Sequence, residues 1–150
     1  MTVIAAAKSQ DLAALADLMA EMDQFYGDIT RPHDARLKQI AEALFGEPPY
    51  AYALLAWNAD QLVGLAAYSF LWPAVGATRS LYLKELYVAE AHRKTGVGKL
   101  LMARIFAIAA EHECSRIEWA TDESNENAKR FYAELGYEPH PGKVSYRVAR

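Results

Sequence analysis

Apolar residues recur along the first half of this chain with two different periods. An apolar run at positions 3–6 predicts a short strand. Apolar residues spaced three and four apart then predict two helices, one opened by Ser9 and Asp11 and ended by Gly27, the other over about 36–45. Two longer apolar runs, 50–57 and 62–71, are joined by a polar turn, which predicts an antiparallel hairpin.

The second half continues the alternation of extended and helical segments. Pro73 and Gly76 are expected to break the chain before a third extended run at 80–88. The remaining predicted elements are a helix over about 98–113, a strand at 117–121, a short helix at 126–135 closed by Gly136 and a last strand at 144–148. The order βααβββαβαβ predicts an α/β fold in which one mixed central sheet carries helices on both faces.

Composition limits the classes of protein to which the chain can belong. Its 150 residues, 53% of them hydrophobic, fit one domain over 1–150 with one core. We expect no membrane-spanning helix, because no apolar run reaches 18 residues, and a cytoplasmic location, because the N-terminus lacks the features of a signal peptide. The single cysteine, Cys114, excludes an internal disulfide and a multi-cysteine metal site. The four histidines share no ligand spacing, so no metal site is expected; they are His33, His92, His112 and His140.

The charges are unevenly divided between the two halves. The net charge of −3 argues against a general nucleic-acid binder. Residues 1–75 hold nine acidic and four basic side chains, whereas residues 76–150 hold ten and twelve. The later half therefore suits an anionic ligand and the earlier half a cation, unless both are simply solvated surface.

The stretch 81–99 has the composition of a diphosphate site. A predicted strand runs through a short loop into a helix that starts among the glycines Gly96 and Gly98. The first amides of a helix lack intrahelical partners, and the helix dipole adds partial positive charge there. The basic residues Arg93, Lys94 and Lys99 surround these glycines. A glycine-containing turn with solvated bases is the other interpretation, and neither a P-loop nor a dinucleotide fingerprint fits the spacing.

Two motifs in this half resemble those of the GNAT superfamily of N-acetyltransferases. Arg93-Lys94-Thr95-Gly96-Val97-Gly98 has the pattern Arg/Gln-x-x-Gly-x-Gly/Ala. The run from Asn125 to Tyr137 resembles the pattern Asn-x-x-Ala-x-x-Phe-Tyr-x-x-x-Gly-Phe/Tyr. The motifs cover about residues 80–137 and stand in the order that the family has. The resemblance implies a GNAT-like sheet whose strands splay at an acetyl-CoA site.

The resemblance also implies which residues hold the cosubstrate, acetyl-CoA. The loop from Arg93 to Lys99 would take the pyrophosphate, and the backbone of Leu86 and Val88 would pair with the pantetheine arm. The amide of Leu86 would polarise the thioester carbonyl. The implied cofactor-binding residues are Leu86, Tyr87, Val88, Arg93, Lys94, Thr95, Gly96, Val97, Gly98, Lys99, Asn125 and Tyr132.

Acetyl transfer to an amine also needs a base and an acid. An amine of pKa about 10.4 is neutral in roughly one molecule of a few thousand at pH 7, so a group or a water chain must accept its proton. Tyr132 matches the family position that protonates the departing thiolate. Strand alternation puts Tyr82, Lys84 and Leu86 on one face and Glu85 on the other, so Glu85 serves as base only through water or if a bulge turns it toward the substrate. Lys84 stands where relatives often carry an acid.

The implied function is acetyl-CoA-dependent N-acetylation of a primary amine, on a small molecule such as a polyamine or amino acid or on a protein. The stretches Gly46–Pro49 and Trp72–Gly76 resemble polyamine-acetylating relatives. A non-catalytic acyl-CoA-binding sensor or partner subunit is the alternative. Similar proteins imply a homodimer, paired across residues 144–148. The residues expected to choose the acceptor, if they are more than a surface loop, are Asp23, Tyr26, Asp28 and His33.

Overall fold

One mixed sheet organises the first 120 residues. In the computed structural model, which describes residues 1–29 and 31–150, its strands are β1 (Thr2–Ala6), β2 (Tyr52–Asn58), β3 (Gln61–Ala74), β4 (Thr78–Val88) and β5 (Arg116–Trp119). The strands stand in chain order across the open sheet, with three antiparallel pairs and one parallel pair, β4 with β5. The α/β class with a mixed sheet, predicted from the sequence, is confirmed.

The helices lie close to the segments that their periodicity predicts. They are α1 (Leu12–Tyr26), α2 (His33–Phe45), α3 (Val97–Glu111) and α4 (Glu126–Glu134). The largest difference is at α2, which begins three residues earlier than predicted, directly after Pro32. Proline has a fixed φ close to the helical value and no N–H to satisfy, so it is well suited to the start of a helix.

The two faces of the sheet carry different helices. Leu15, Met22 and Ile40 of α1 and α2 form one buried cluster with strand residues that include Leu55 and Leu65. Helix α3 covers the opposite face. This position follows from Gly64, whose neighbours in β3 alternate in direction and at which an added Cβ would meet Val97 and Leu101 of α3 at 3.0 and 3.2 Å.

The hairpin of β3 and β4 is longer than its sequence predicts. Pro73 does not end β3, which continues to Ala74 before a turn at Val75–Ala77. The ladder is irregular between Leu71 and Ala74, so Pro73 needs no place in the regular hydrogen-bond pattern. The predicted break at Pro73 is therefore wrong, whereas the break at Gly76 is correct, because Gly76 lies in the turn with a φ of 70°.

The described residues fall into two compact units, 1–120 and 121–150. The second contains α4, and the predicted last strand at 144–148 is wrong, since these residues have no regular secondary structure. Val144, Tyr146 and Val148 are 78–93% exposed. An alternating apolar pattern forms a strand only where another strand supplies its hydrogen bonds, and the described part of the chain supplies none here. The single domain and the homodimer stay predictions.

We predict that Gly64→Val destabilises the protein, because the new side chain must enter the packed contact between β3 and α3. The neighbours Val97, Leu101 and Ala56 are all at most 3% exposed, so they have little room to move. Overpacking of this kind costs about 1–3 kcal/mol, which lowers the melting temperature by about 2–10 °C in a chain of this size. Thermal unfolding measures the change, and Gly64→Ala is the graded control with the smaller expected loss. A melting temperature of Gly64→Val within about 1 °C of wild type would contradict this packing.

Candidate active site

Strand β4 loses one of its two neighbours halfway along its length. Residues Ser80–Leu83 pair with β5 on one side, while β3 pairs with β4 as far as Val88 on the other. From residue 84 to 88, the edge that faced β5 has no strand partner in the described residues. We call these five residues the free edge. The main-chain groups that point away from β3 along this edge can bind an extended ligand that carries amides.

The alternation of hydrogen bonds decides which residues point their main chain at this edge. The N–H of Ala89 donates to the carbonyl of Val63 at 2.8 Å, so the main-chain groups of Ala89 face β3. In an antiparallel ladder every second residue repeats this direction. Leu86 and Val88 therefore turn their main-chain groups away from β3 and toward the free edge. These are the two residues whose backbone the sequence predicts to hold a pantetheine arm.

A β-bulge at Lys84 changes the side-chain directions along β4. Ala67 is opposite Glu85, and the next residue of β3, Tyr68, is opposite Leu83, so Lys84 has no counterpart. Glu85 is therefore on the α1 and α2 face, with Tyr87 and Tyr82. The predicted alternation, which separates Tyr82 from Glu85, is wrong because of this extra residue. The bulge is the condition under which the sequence allows Glu85 to serve as a base.

A short loop after β4 leads into the open start of α3. Lys94 and Gly96 have positive φ values of 62° and 91°, and a Cβ added to Gly96 would meet no protein atom within 4 Å. Leu100 donates the first helical hydrogen bond, to the carbonyl of Gly96 at 3.1 Å. The amides that precede Leu100 lie in the part of a helix where no intrahelical acceptor exists. Such a start, flanked by the exposed Lys94 and Lys99, can bind an anion such as a diphosphate.

Arg93 stands between the free edge and α1. Its Nε donates to the carbonyl of Val88 at 2.9 Å. Its guanidinium carbon lies 4.1 Å from the ring centre of Phe25 and 5.3 Å from that of Tyr87, which are cation–π distances. The side chain therefore contacts the strand end and the last turn of α1.

A second contact joins the same two elements. The hydroxyl of the buried Tyr87 donates to a carboxylate oxygen of Glu21 at 2.5 Å. Burial, and secondly this hydrogen bond, raise the pKa of Tyr87 well above the ordinary range of a phenol, so Tyr87 stays protonated near neutral pH. Glu21 and Phe25 are two residues of the site that the sequence did not predict. Their spacing of one helical turn is a usable signal, but it does not say which strand they meet.

The residues predicted to choose the acceptor have separate roles here. Asp23 binds the buried Arg36 at 2.7 Å, whereas Tyr26 lies against Phe25 and Tyr87. Asp28 donates its amide to the carbonyl of Asp23, and His33 begins α2. A cleft of about 470 Å³ lies beside the ion pair between α1 and α2. The side chains that line it are Met19, Asp23, Ile29, Arg31, Arg36, Gln39 and Ile40.

In the second unit, α4 carries the predicted acid. The side-chain oxygen of Asn125 accepts a hydrogen bond from the amide of Ala128 at 3.0 Å and so caps the helix. Tyr132 and Phe131 are both half-buried, and their rings make an edge-to-face contact with centres 5.1 Å apart. Helix α4 contains no fully buried residue among those described, so neither ring belongs to a closed core.

The described residues contain no group of three or more histidine, cysteine, aspartate or glutamate side chains that could hold a metal ion. Within the same residues, no helix has both the length and the apolar character needed to cross a membrane. Burial raises the pKa of the Cys114 thiol, against a smaller opposing effect of Arg79. A thiol of raised pKa is mostly protonated at neutral pH and is a poor nucleophile.

Among the characterised proteins that are similar to this chain are three that are named as acetyltransferases. The chain is 25% identical over 147 residues to thialysine N-epsilon-acetyltransferase of Mus musculus, which covers 90% of this chain and 83% of that protein. It is 31% identical over 65 residues, 43% of its length, to L-ornithine N5-acetyltransferase NATA1 of Arabidopsis thaliana. The match to the Sus scrofa thialysine enzyme is 27% over 100 residues, 61% of this chain. The chain spans 28% of the Arabidopsis protein and 58% of the Sus scrofa protein.

Solved structures with the same fold cover nearly the whole chain. An integron cassette protein of V. cholerae aligns with a TM-score of 0.90 and 25% identity, covering 99% of this chain and 93% of that one. An aminoglycoside N-acetyltransferase in complex with CoA aligns with a TM-score of 0.81 and 20% identity, covering 99% and 95%.

A family model described as the acetyltransferase (GNAT) family matches residues 14–137, which include the free edge, the loop before α3 and α4. This chain therefore belongs to the GNAT family, and the family membership that its sequence motifs predict is confirmed.

Proposed function

We propose that this enzyme transfers the acetyl group of acetyl-CoA to the primary amine of a small molecule, such as a polyamine or an amino acid, or of a protein. The observation that carries the proposal is the free edge, residues 84–88, followed at once by the open N-terminus of α3. Pantetheine is an extended chain with two amides, joined to a diphosphate. The edge and the helix start fit these adjacent parts of one ligand.

The cosubstrate contacts that we propose follow the chain from β4 into α3. Leu86 offers its main-chain groups and Val88 its N–H to the pantetheine amides, and the exposed cations Lys94 and Lys99 flank the diphosphate. The amide of Leu86 stabilises the negative charge that develops on the thioester oxygen. Preorganised donors of this kind act without reorganisation during the reaction, which is why a main-chain amide on a sheet is effective.

The transfer requires two proton movements. The acceptor nitrogen forms a bond to the acetyl carbon while the bond from that carbon to sulfur breaks, so one proton leaves the amine and one reaches the thiolate. We assign the first to Glu85, directly or through water, because the bulge at Lys84 places Glu85 on the α1 and α2 face. We assign the second to Tyr132, with Asn125 holding the helix start that orients it.

The relatives differ in the class of amine acceptor that their names give. The relatives named for thialysine and ornithine act on amino acids with a second amine, while another relative of Homo sapiens is named a spermidine/spermine N(1)-acetyltransferase-like protein. One observation favours a second candidate function, a non-catalytic acyl-CoA-binding subunit. This observation is that Lys84, at the bulge, carries an exposed positive charge. That charge repels a cationic acceptor.

A turnover assay decides between these two functions. We expect release of free CoA thiol from acetyl-CoA with at least one member of an amine panel of ornithine, lysine, thialysine, spermidine, putrescine and a short peptide. Heat-denatured protein with the same panel is the control for uncatalysed acetylation. Binding of CoA in calorimetry without thiol release from any amine would support the non-catalytic subunit and overturn the enzymatic function for this panel.

We predict that Gly98→Glu abolishes CoA binding while the fold survives. The carboxylate brings bulk and negative charge to the helix start where we place the diphosphate, and Gly98 is half-buried there rather than fully enclosed in the core. Isothermal calorimetry with CoA measures the loss, which we expect to exceed about 100-fold, and circular dichroism checks the fold. Glu111→Gln, at the far end of the same helix, is the matched control. An unchanged CoA affinity in folded Gly98→Glu would remove the diphosphate from this loop.

We predict that Tyr132→Phe lowers kcat about 10²–10⁴-fold, the usual contribution of a positioned acid. The substitution keeps the ring that contacts Phe131 and removes only the hydroxyl, so stability and CoA affinity should change little. Steady-state kinetics with the best amine of the panel measures kcat, and Tyr137→Phe makes the same change at a second half-buried tyrosine of this unit. A kcat within about threefold of wild type would assign the proton to water or another residue, and a loss of CoA affinity would make Tyr132 a binding residue only.

A further inference from the structure

The contacts of Arg93 differ from those of the other cations in its loop. Lys94 and Lys99 are exposed, but Arg93 is half-buried and is held by an element on each side. Its Nε–H bonds the carbonyl of Val88, the last residue of the free edge. Its planar guanidinium lies over the ring of Phe25 on α1. A fixed, stacked guanidinium is less available to a diphosphate than an exposed ammonium.

We propose that the side chain of Arg93 is a positioning residue, which fixes the last turn of α1 against the end of β4 and so shapes the acceptor side of the active site. The sequence motif assigns this residue to cosubstrate binding, together with the rest of the loop. In the structure its side chain lies on the α1 and α2 face of β4, from which we expect the acceptor to approach. The proposal rests on the proposed function, which identifies that face as the acceptor side.

Two links from the end of β4 hold the last turn of α1. One is the hydrogen bond from Tyr87 to Glu21, and the other is the contact from Arg93 to Phe25, one helical turn further along α1. Beyond this turn, Gly27 ends the helix and the chain turns toward α2. A helix end frays unless tertiary contacts hold it, so the Arg93 contact controls the more terminal part of the turn.

The same turn is a wall beside the proposed reaction centre. Glu85 and Tyr87 project from β4 on the α1 and α2 face, and the rings of Phe25 and Tyr26 lie 6.1 and 6.3 Å from that of Tyr87. Phe25 is 48% exposed, so its ring still presents surface to a ligand. An amine that reaches Glu85 from this side passes the wall. Its affinity therefore depends on where Arg93 holds Phe25.

The test compares variants that keep or remove the charge. Arg93→Lys keeps the positive charge but loses the planar ion and its Nε–H bond, while Arg93→Gln also loses the charge. Phe25→Leu keeps an apolar side chain and removes the ring. The double variant Arg93→Lys with Phe25→Leu completes a double-mutant cycle. Lys94→Ala is the positive control for weakened cosubstrate binding. The readouts are the CoA Kd from calorimetry, the acceptor KM and kcat with the best amine of the panel, and hydrogen exchange of residues 20–28.

A positioning role predicts one pattern across these variants. Arg93→Lys, Arg93→Gln and Phe25→Leu each raise the acceptor KM about tenfold and speed hydrogen exchange at 20–28, while the CoA Kd stays within about twofold. The double variant is no worse than the worse single variant. Melting temperatures confirm that each variant is folded at the assay temperature.

Three results would overturn the proposal. The first is a CoA Kd at least tenfold weaker in Arg93→Gln but unchanged in Arg93→Lys, which would make Arg93 a diphosphate ligand. The second is an unchanged acceptor KM in Phe25→Leu, and the third is full additivity in the double variant. Failure of the proposed function is a distinct result, because wild-type protein would then release no thiol with any amine. The hydrogen-exchange comparison would still test the contact itself.

Discussion

Among the described residues, the main chain of β4 beyond Leu83 has a hydrogen-bonding strand on one side only, and the arrangement of the site depends on this. Strand β3 forms hydrogen bonds with the main-chain groups of every second residue of β4. The main-chain groups of Leu86 and Val88 are therefore left for water, for Arg93 or for a ligand. Unsatisfied main-chain groups are costly once water is removed. A ligand that brings its own amides therefore restores, when it binds, what the departure of β5 removes.

The sheet places two different environments on either side of this strand. Helix α3 packs so closely on Gly64 that an added Cβ would meet Val97 at 3.0 Å, and this packing brings the open start of α3 beside the end of β4. The other face is covered by α1, whose last turn meets β4 through Tyr87. A main-chain group at the free edge lies between a cationic loop and an aromatic wall. In the proposed mechanism, the cosubstrate and the acceptor amine then approach from two sides, and the amine reaches the thioester carbonyl without competing for space.

The sequence was sufficient for what local patterns encode. Hydrophobic periodicity located the helices and the five strands of the sheet, and the glycine-rich loop and the Asn125 motif identified the family. Patterns that need a partner were less reliable. Residues 144–148 alternate like a strand, but alternation does not supply a neighbouring strand. The bulge at Lys84 arises from the register of β3, and the contact of Phe25 with Arg93 joins positions 68 residues apart, so neither is visible in one sequence.

The bulge at Lys84 also determines which face of the sheet receives the charge of Glu85. The extra residue puts the two halves of the strand out of phase, so that Leu81 and Leu83 enter the core while Glu85 faces the helices α1 and α2. If the same residues continued past Leu83 as a regular ladder without the bulge, strand alternation would direct the carboxylate of Glu85 into the layer that holds Leu83. An isolated buried carboxylate is strongly disfavoured or becomes protonated. The bulge therefore keeps the charge of Glu85 out of the core, while the bulged residue itself, Lys84, carries its own charge in solvent.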